Sequence, residues 1–340
     1  MTYCYLKYTV VYMIESIPFG PRSTADDVLA GLDLSARTIL VTGCNSGLGF
    51  ETFRALAARG AHVVGLAKSR EAARFACERV RGSSTPIGCD LANLDSVKAA
   101  RYAILKLGRS LDAIVANAGI MGSKRLQVRD GVELQFLVNH IGHFALVNGL
   151  IGIVPDQTGR VVIVSSSASI QQAPKEGILF DNLDGHRSYK PFSFYGQSKL
   201  ACALYAKELS RRLAPRGIAV NSLHPGAVGG TRLNRGLKFP LSAVLRIARY
   251  FLKTVPQGAA TQALLAASPL VEGISGEYWV DCRIGDGSKF LHDRAMAERL
   301  WTTSERIVAA GAGRQAQGRA LGPVINVSAV ESSRQNLSIE

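Results

Sequence analysis

The sequence predicts an α/β protein: one doubly wound parallel sheet with helices on both faces. Three observations carry that expectation. Short apolar runs at 38–41, 61–67, 111–116 and 160–164 alternate with stretches of helical length. A strand covered on both faces needs such an unbroken run, whereas a half-exposed strand alternates apolar with polar. Between the first two runs lies Thr42-Gly43-Cys44-Asn45-Ser46-Gly47-Leu48-Gly49, a glycine-rich turn that opens into a helix. Polar and glycine residues also gather where strands end, at 43–49, Asp90, Asn117–Gly119 and Ser166. In open parallel sheets, ligands sit beyond those ends.

Taken in order, Met1 to Ile17 is apolar and rich in tyrosine but interrupted by Lys7 and Glu15. It is too short and broken for a membrane span, and no A-x-A cleavage site follows. Residues 1–34 read as an N-terminal arm, with an interfacial anchor as the alternative for the first 17. A short helical pattern, Thr24 to Ala30, then packs beside the first strand. In the G-x-x-x-G-x-G turn, glycines let the backbone approach a diphosphate, and the helix start supplies N–H donors and a positive dipole end. Gly60 closes that helix and 61–67 forms the second strand, which completes a βαβ unit.

After the second strand, an NAD site carries a carboxylate for the ribose 2′-hydroxyl. Here Lys68-Ser69-Arg70 stands instead, suited to a 2′-phosphate, so NADP is the expected cofactor and NAD the alternative. Ser84 to Gly88 is the third strand, and Leu94 to Leu107 a helix. Strand four ends in Asn117-Ala118-Gly119. A helix from about Gly131 to Leu150 holds His140 and His143; with no third ligand at sensible spacing they read as structural or surface histidines, and no metal is expected. Strand five stops at Ser165-Ser166-Ser167. Gln171 to Phe194 reads as a polar loop, and the helix from Tyr195 to Leu213 puts Tyr195 and Lys199 on one face. Ile218 to Leu223 is strand six. Residues 227–256 read as a substrate lid, followed by the helix Gln257–Ala267, the strand Glu277–Val280 and the helix Asp293–Ala310. One domain thus covers 35–310, with 311–340 as a disordered tail.

The net charge of +14 comes from bases spread along the chain without a run of five or six, so a nucleic-acid partner is not expected. Six cysteines, at 4, 44, 77, 89, 202 and 282, show no C-x-x-C or zinc spacing and read as reduced thiols in a cytoplasmic protein.

The set TGCNSGLG at 42–49, NAG at 117–119, SSS at 165–167 and YGQSK at 195–199 resembles the short-chain dehydrogenase/reductase family, a Rossmann-type fold. The resemblance covers roughly residues 35–285. The unit at 139–144, the long stretch from Ser166 to Tyr195 and the segment 275–282 are similar to the retinol-dehydrogenase-like branch, which includes the WW-domain oxidoreductases.

Hydride transfer to or from a carbinol needs a proton acceptor on the substrate oxygen. A tyrosine titrates at about 10 in water, and a neighbouring ammonium favours its phenolate. The resemblance implies that Tyr195 is the acid/base, that Lys199 supplies the charge and holds the nicotinamide ribose, and that Ser166 binds the substrate oxygen. Ser165 is the alternative to Ser166. By the same resemblance, Asn139 anchors a water that relays the proton. Gly43, Asn45, Ser46, Gly47, Leu48 and Gly49 would cradle the diphosphate, and Lys68, Ser69 and Arg70 the 2′-phosphate. Asp90 would meet the adenine amino group beside Leu91, and Asn117, Ala118 and Gly119 would flank the adenosine. Pro225, Gly226, Val228 and Thr231 would lie at the nicotinamide, although Thr231 sits one position later than the family's threonine. The expected reaction is NADP-dependent oxidoreduction of a small apolar alcohol or carbonyl, and a homodimer is allowed for. The rival is an idle NADP-sensing interaction protein on the same fold.

Overall fold

The computed structural model describes residues 17–122, 125–229 and 252–316. After a short helix α1 (Ala25–Val28), the chain alternates β1 (Thr38–Thr42), α2 (Gly47–Ala58), β2 (His62–Ala67), α3 (Arg70–Glu78), β3 (Ser84–Gly88), α4 (Leu94–Leu105) and β4 (Ala113–Ala116). A hairpin, β5 (Val128–Arg129) and β6 (Val132–Glu133), precedes the helix α5 over 134–148, whose middle is a π turn, Leu137–Ile141. Then come β7 (Arg160–Val164), α6 (Ala168–Gln171), α7 (Pro191–Leu213), β8 (Ala219–His224), α8 (Val255–Ala267), β9 (Tyr278–Val280), β10 (Arg283–Gly285) and α9 (Arg294–Ala316).

Eight strands make the main sheet in the order β10-β9-β8-β7-β4-β1-β2-β3, all pairs parallel except β9 with β10. The central strands are buried on both faces, as their composition requires: β1 and β7 are covered along their whole length. Ile39, Val41, Val63 and Val115 point into a core shared with α1, α2, α3 and α8. Leu40, Val64, Ile114 and Val161 point into the opposite core, under α4, α5, α7 and α9. Period-2 alternation thus feeds two cores from one sheet, and the fold is the doubly wound Rossmann type expected.

Several boundaries differ from the sequence reading. The hairpin β5–β6 occupies the start of the stretch read as helix from Gly131. Helix α7 begins at Pro191, one turn before Tyr195, because proline at the first position costs no hydrogen bond. Helix α9 runs to Ala316, past the expected tail boundary. The short helix α1 packs on α8 and α2, in the core that also takes Ile39 and Val41 of β1. Residues 1–16 and 317–340 lie outside the described residues, and so do 230–251 of the expected lid and Thr231. Among the described residues, no helix is long and apolar enough to cross a membrane.

Candidate active site

A cleft of about 800 Å³ opens beyond the carboxyl ends of the strands. Its floor follows the sheet from β3 to β8. Gly43, Asn45, Ser46, Gly47, Leu48 and Gly49 line it after β1, Lys68 after β2, and Asp90 with Leu91 after β3. Asn117, Ala118 and Gly119 line it after β4, and Ser165, Ser166 and Ser167 after β7. Tyr195 and Lys199 reach it from α7, and Pro225, Gly226 and Val228 after β8. Ser69, Arg70 and Asn139 are not part of its lining. Ser69 and Arg70 are exposed, and the Ser69 hydroxyl caps α3 by accepting from the Ala72 N–H at 3.2 Å.

The glycine loop owes its shape to close approach. A side chain at Gly49 would lie 2.3 Å from both the Gly43 carbonyl oxygen and Asn117 Nδ2, and Gly43 itself has φ +71°. Only hydrogen fits at 49, and the left-handed backbone at 43 favours glycine. The start of α2 carries no acidic residue and no side-chain cap, so its N–H groups face the cleft with their dipole uncompensated.

The Asn117–Gly119 segment is braced from below by Thr42. Its Oγ1 accepts from the N–H groups of Asn117 and Ala118, both at 2.9 Å, and lies 2.9 Å from His143 Nε2. His143 Nδ1 is 3.0 Å from the Asn139 carbonyl, so that nitrogen donates and Nε2 accepts the Thr42 hydroxyl proton. Burial, with a smaller repulsion from Lys199, pushes the His143 pKa down to about 4 and keeps the ring neutral. Both histidines are buried and hydrogen-bonded within the fold, with His140 Nε2 2.7 Å from Ser304 Oγ. Thr42 and His143 acting together escaped the sequence reading, because 101 residues separate them.

Tyr195 and Lys199 are 7% and 4% exposed. A reciprocal clasp fixes their helix to β7: Lys199 Nζ donates to the Val164 carbonyl at 2.9 Å, and Ser165 Oγ donates to the Lys199 carbonyl at 2.7 Å. A side chain at Gly119 would stand 3.3 Å from Lys199 Nζ, which puts the ammonium beside the end of β4. The Ser166 hydroxyl accepts from the Ala168 N–H at 3.2 Å, and its carbonyl takes hydroxyl donors from Ser169 at 2.6 Å and Tyr278 at 3.2 Å.

Asn139 sits on the π turn, 1% exposed. Its amide accepts from the Ile120 N–H at 2.8 Å and donates to the Ile120 carbonyl at 3.0 Å and to Ser198 Oγ at 2.9 Å. Its carbonyl accepts from His143 and from the Cys202 thiol at 3.1 Å. Further lining comes from Ile120, Met121 and Gln172, and from Gln127 and Arg129 near the β5–β6 hairpin, which the sequence reading passed over. The available signal was Asp130-Gly131 between Val128 and Val132, a two-residue turn in which both residues take positive φ.

This fold and cleft define an NAD(P)-dependent oxidoreductase, and the chain belongs to the short-chain dehydrogenase/reductase family, in its retinol-dehydrogenase-like branch. The family's model, described as short chain dehydrogenase, matches residues 37–178. The chain is 37% identical over 304 residues to short-chain dehydrogenase TIC 32 B, chloroplastic, of Brassica napus, spanning 85% of this chain and 94% of that one. It is 37% identical over 295 residues to retinol dehydrogenase 14 of Mus musculus, spanning 81% and 86%. Among solved structures, a short chain dehydrogenase from Burkholderia cenocepacia J2315 in complex with NADP aligns with TM-score 0.56 and 25% identity, over 74% of this chain and 99% of that one.

Proposed function

We propose that the cleft binds NADP(H) and that Tyr195 exchanges the proton of an alcohol or carbonyl substrate during hydride transfer. One observation carries this reading: Tyr195, Lys199 and Ser166 line the same cleft as the glycine loop. The cofactor, when bound, supplies or accepts the hydride. The chain's own groups do the rest. Lys199, anchored on the Val164 carbonyl, offers a fixed positive charge one turn from Tyr195. Ser166 orients the substrate oxygen. Its choice over Ser165 is supported by the latter's hydroxyl being engaged on the Lys199 carbonyl. The relay water assigned to Asn139 would meet Oδ1, since its carbonyl already accepts from two donors.

The adenosine end supports NADP. Lys68 carries the free reach of an 82% exposed side chain and stands 3.7 Å from Asp90, which is 25% exposed. A 2′-phosphate could draw the ammonium while the Asp90 carboxylate accepts from the adenine amino group. That the Burkholderia short chain dehydrogenase was solved in complex with NADP supports the choice of cofactor. A mostly apolar wall from Ile120, Met121 and Ala168 favours an apolar substrate. We take 35–310 as the catalytic domain, and a cytoplasmic location from the five described cysteines, all unpaired; recovery of tagged protein in an organelle fraction would contradict that location.

The test is NADPH consumption by purified protein against aldehydes, ketones and retinoids, with Tyr195→Phe alongside. The variant should lose turnover and keep cofactor affinity, because it lacks only the ionisable oxygen. Substantial turnover by Tyr195→Phe would sink the assignment.

A further inference from the structure

The wall of the cleft after β8 is held in place from outside by a hairpin with a strained turn. β9 and β10 are joined by Asp281 and Cys282, with φ of +54° and +61°. A two-residue turn of this kind favours asparagine and glycine, and neither is used here. Both side chains have other work. Cys282 is fully buried, and its N–H donates to Thr261 Oγ1 of α8 at 3.0 Å. The Asp281 carboxylate forms an ion pair with Lys253 Nζ, whose side chain is only 15% exposed.

Lys253 is bound to the cleft wall along its whole length. Its N–H donates to the Ala227 carbonyl at 2.9 Å, and its carbonyl accepts from the Gly229 N–H at 3.0 Å. Its methylenes cross Gly226 so closely that a side chain there would meet Cδ at 2.9 Å. One residue therefore grips 226–229 by backbone and stem and is itself held by Asp281. Pro225, Gly226, Ala227 and Val228 line the cleft at the end where Ser166 and Tyr195 stand.

We propose that the Lys253–Asp281 ion pair is a latch that positions the 225–228 wall against the nicotinamide half of the cofactor. The inference rests on the cofactor reading above. Its effect is local, because the 2′-phosphate end lies beside β2, with three strands between it and β8 in the sheet. Four strand spacings separate the two ends by roughly 19 Å. Lys253 and Asp281 are thus positioning residues, and losing the latch weakens the hold on the nicotinamide half alone.

The experiment titrates two ligands by calorimetry: NADPH, and 2′,5′-ADP, which carries the phosphorylated adenosine half without nicotinamide. Asp281→Asn is nearly isosteric and tolerates positive φ, so it removes the charge and keeps the turn. Asp281→Asn and Lys253→Met should each raise the NADPH Kd by about tenfold, and the double variant no further, as one coupled pair requires. Binding of 2′,5′-ADP should stay within about twofold of wild type, and Lys253→Arg should restore NADPH affinity. Unchanged NADPH affinity in Asp281→Asn, equal losses for both ligands, or additive losses in the double variant would overturn the latch. Should Lys253→Met not fold, Asp281→Asn decides alone. Wild-type protein that binds neither ligand overturns the cofactor reading, and the latch with it.

Discussion

Replacing Thr42 by valine changes shape very little and removes one hydroxyl. That hydroxyl has three partners: the N–H groups of Asn117 and Ala118 and the neutral Nε2 of His143; the Asn117 N–H also reaches the Val115 carbonyl at 3.1 Å. The residue is 1% exposed, so water cannot replace it. Its loss orphans the Ala118 N–H and His143 Nε2 at about 1 kcal/mol or more each, which sets the loss at about 2 kcal/mol. For a domain of this size the melting temperature should fall by about 4 °C. Because Asn117 to Gly119 line the cleft, NADPH affinity should fall as well. Thr42→Ser keeps the hydroxyl and should recover most of both. Urea unfolding and thermal melts of the three proteins give the numbers. A Thr42→Val protein within about 0.5 kcal/mol of wild type would refute the claim that this hydroxyl braces the loop.

Three further outcomes follow from the site. Burial pushes the pKa of His143 down to about 4 and of His140 to about 3, below the unfolded value of about 6.5. The unfolded chain then binds protons that the fold does not, so this stability is complete above pH 6.5 and drains away as pH falls towards 4. The slope should approach about 2.7 kcal/mol per pH unit, and a melting temperature flat between pH 6.5 and 5 would contradict it. NADPH should bind about tenfold more tightly than NADH, less so at high salt, and Lys68→Asp should reverse the order; equal affinities in wild type would show that Lys68 only faces solvent. Lys199→Met should abolish turnover and weaken NADPH binding, and unaltered affinity would remove Lys199 from the ribose.

The sheet was legible because β1, β2, β4 and β7 are short apolar runs, and burial on both faces leaves few other meanings for such runs. The glycine loop was legible for a similar reason, since Gly49 has no room for a side chain. What escaped was set by contacts distant in sequence or by elements too short to show a period. β10 is three residues, one of them an exposed arginine, and exists only because β9 offers it an edge. The hairpin β5–β6 has two residues per strand. Ser69 read as a phosphate ligand from its place after β2, yet its hydroxyl caps α3. No local pattern joins Thr42 to His143 or Lys253 to Asp281.

Helix α7 is buried without a break from Phe194 to Ala206. Its amide hydrogens should therefore exchange with solvent only when the whole domain opens, among the slowest in the molecule. The residues we assign to proton transfer thus ride on the last element to lose its structure. The walls we assign to substrate come instead from Ile120 and Met121 after β4 and from Ala168 on α6. Sequence drift in those walls can retune which alcohol or carbonyl is accepted and leave the slow-exchanging helix untouched, so one proton-handling core can serve a lineage of different substrates.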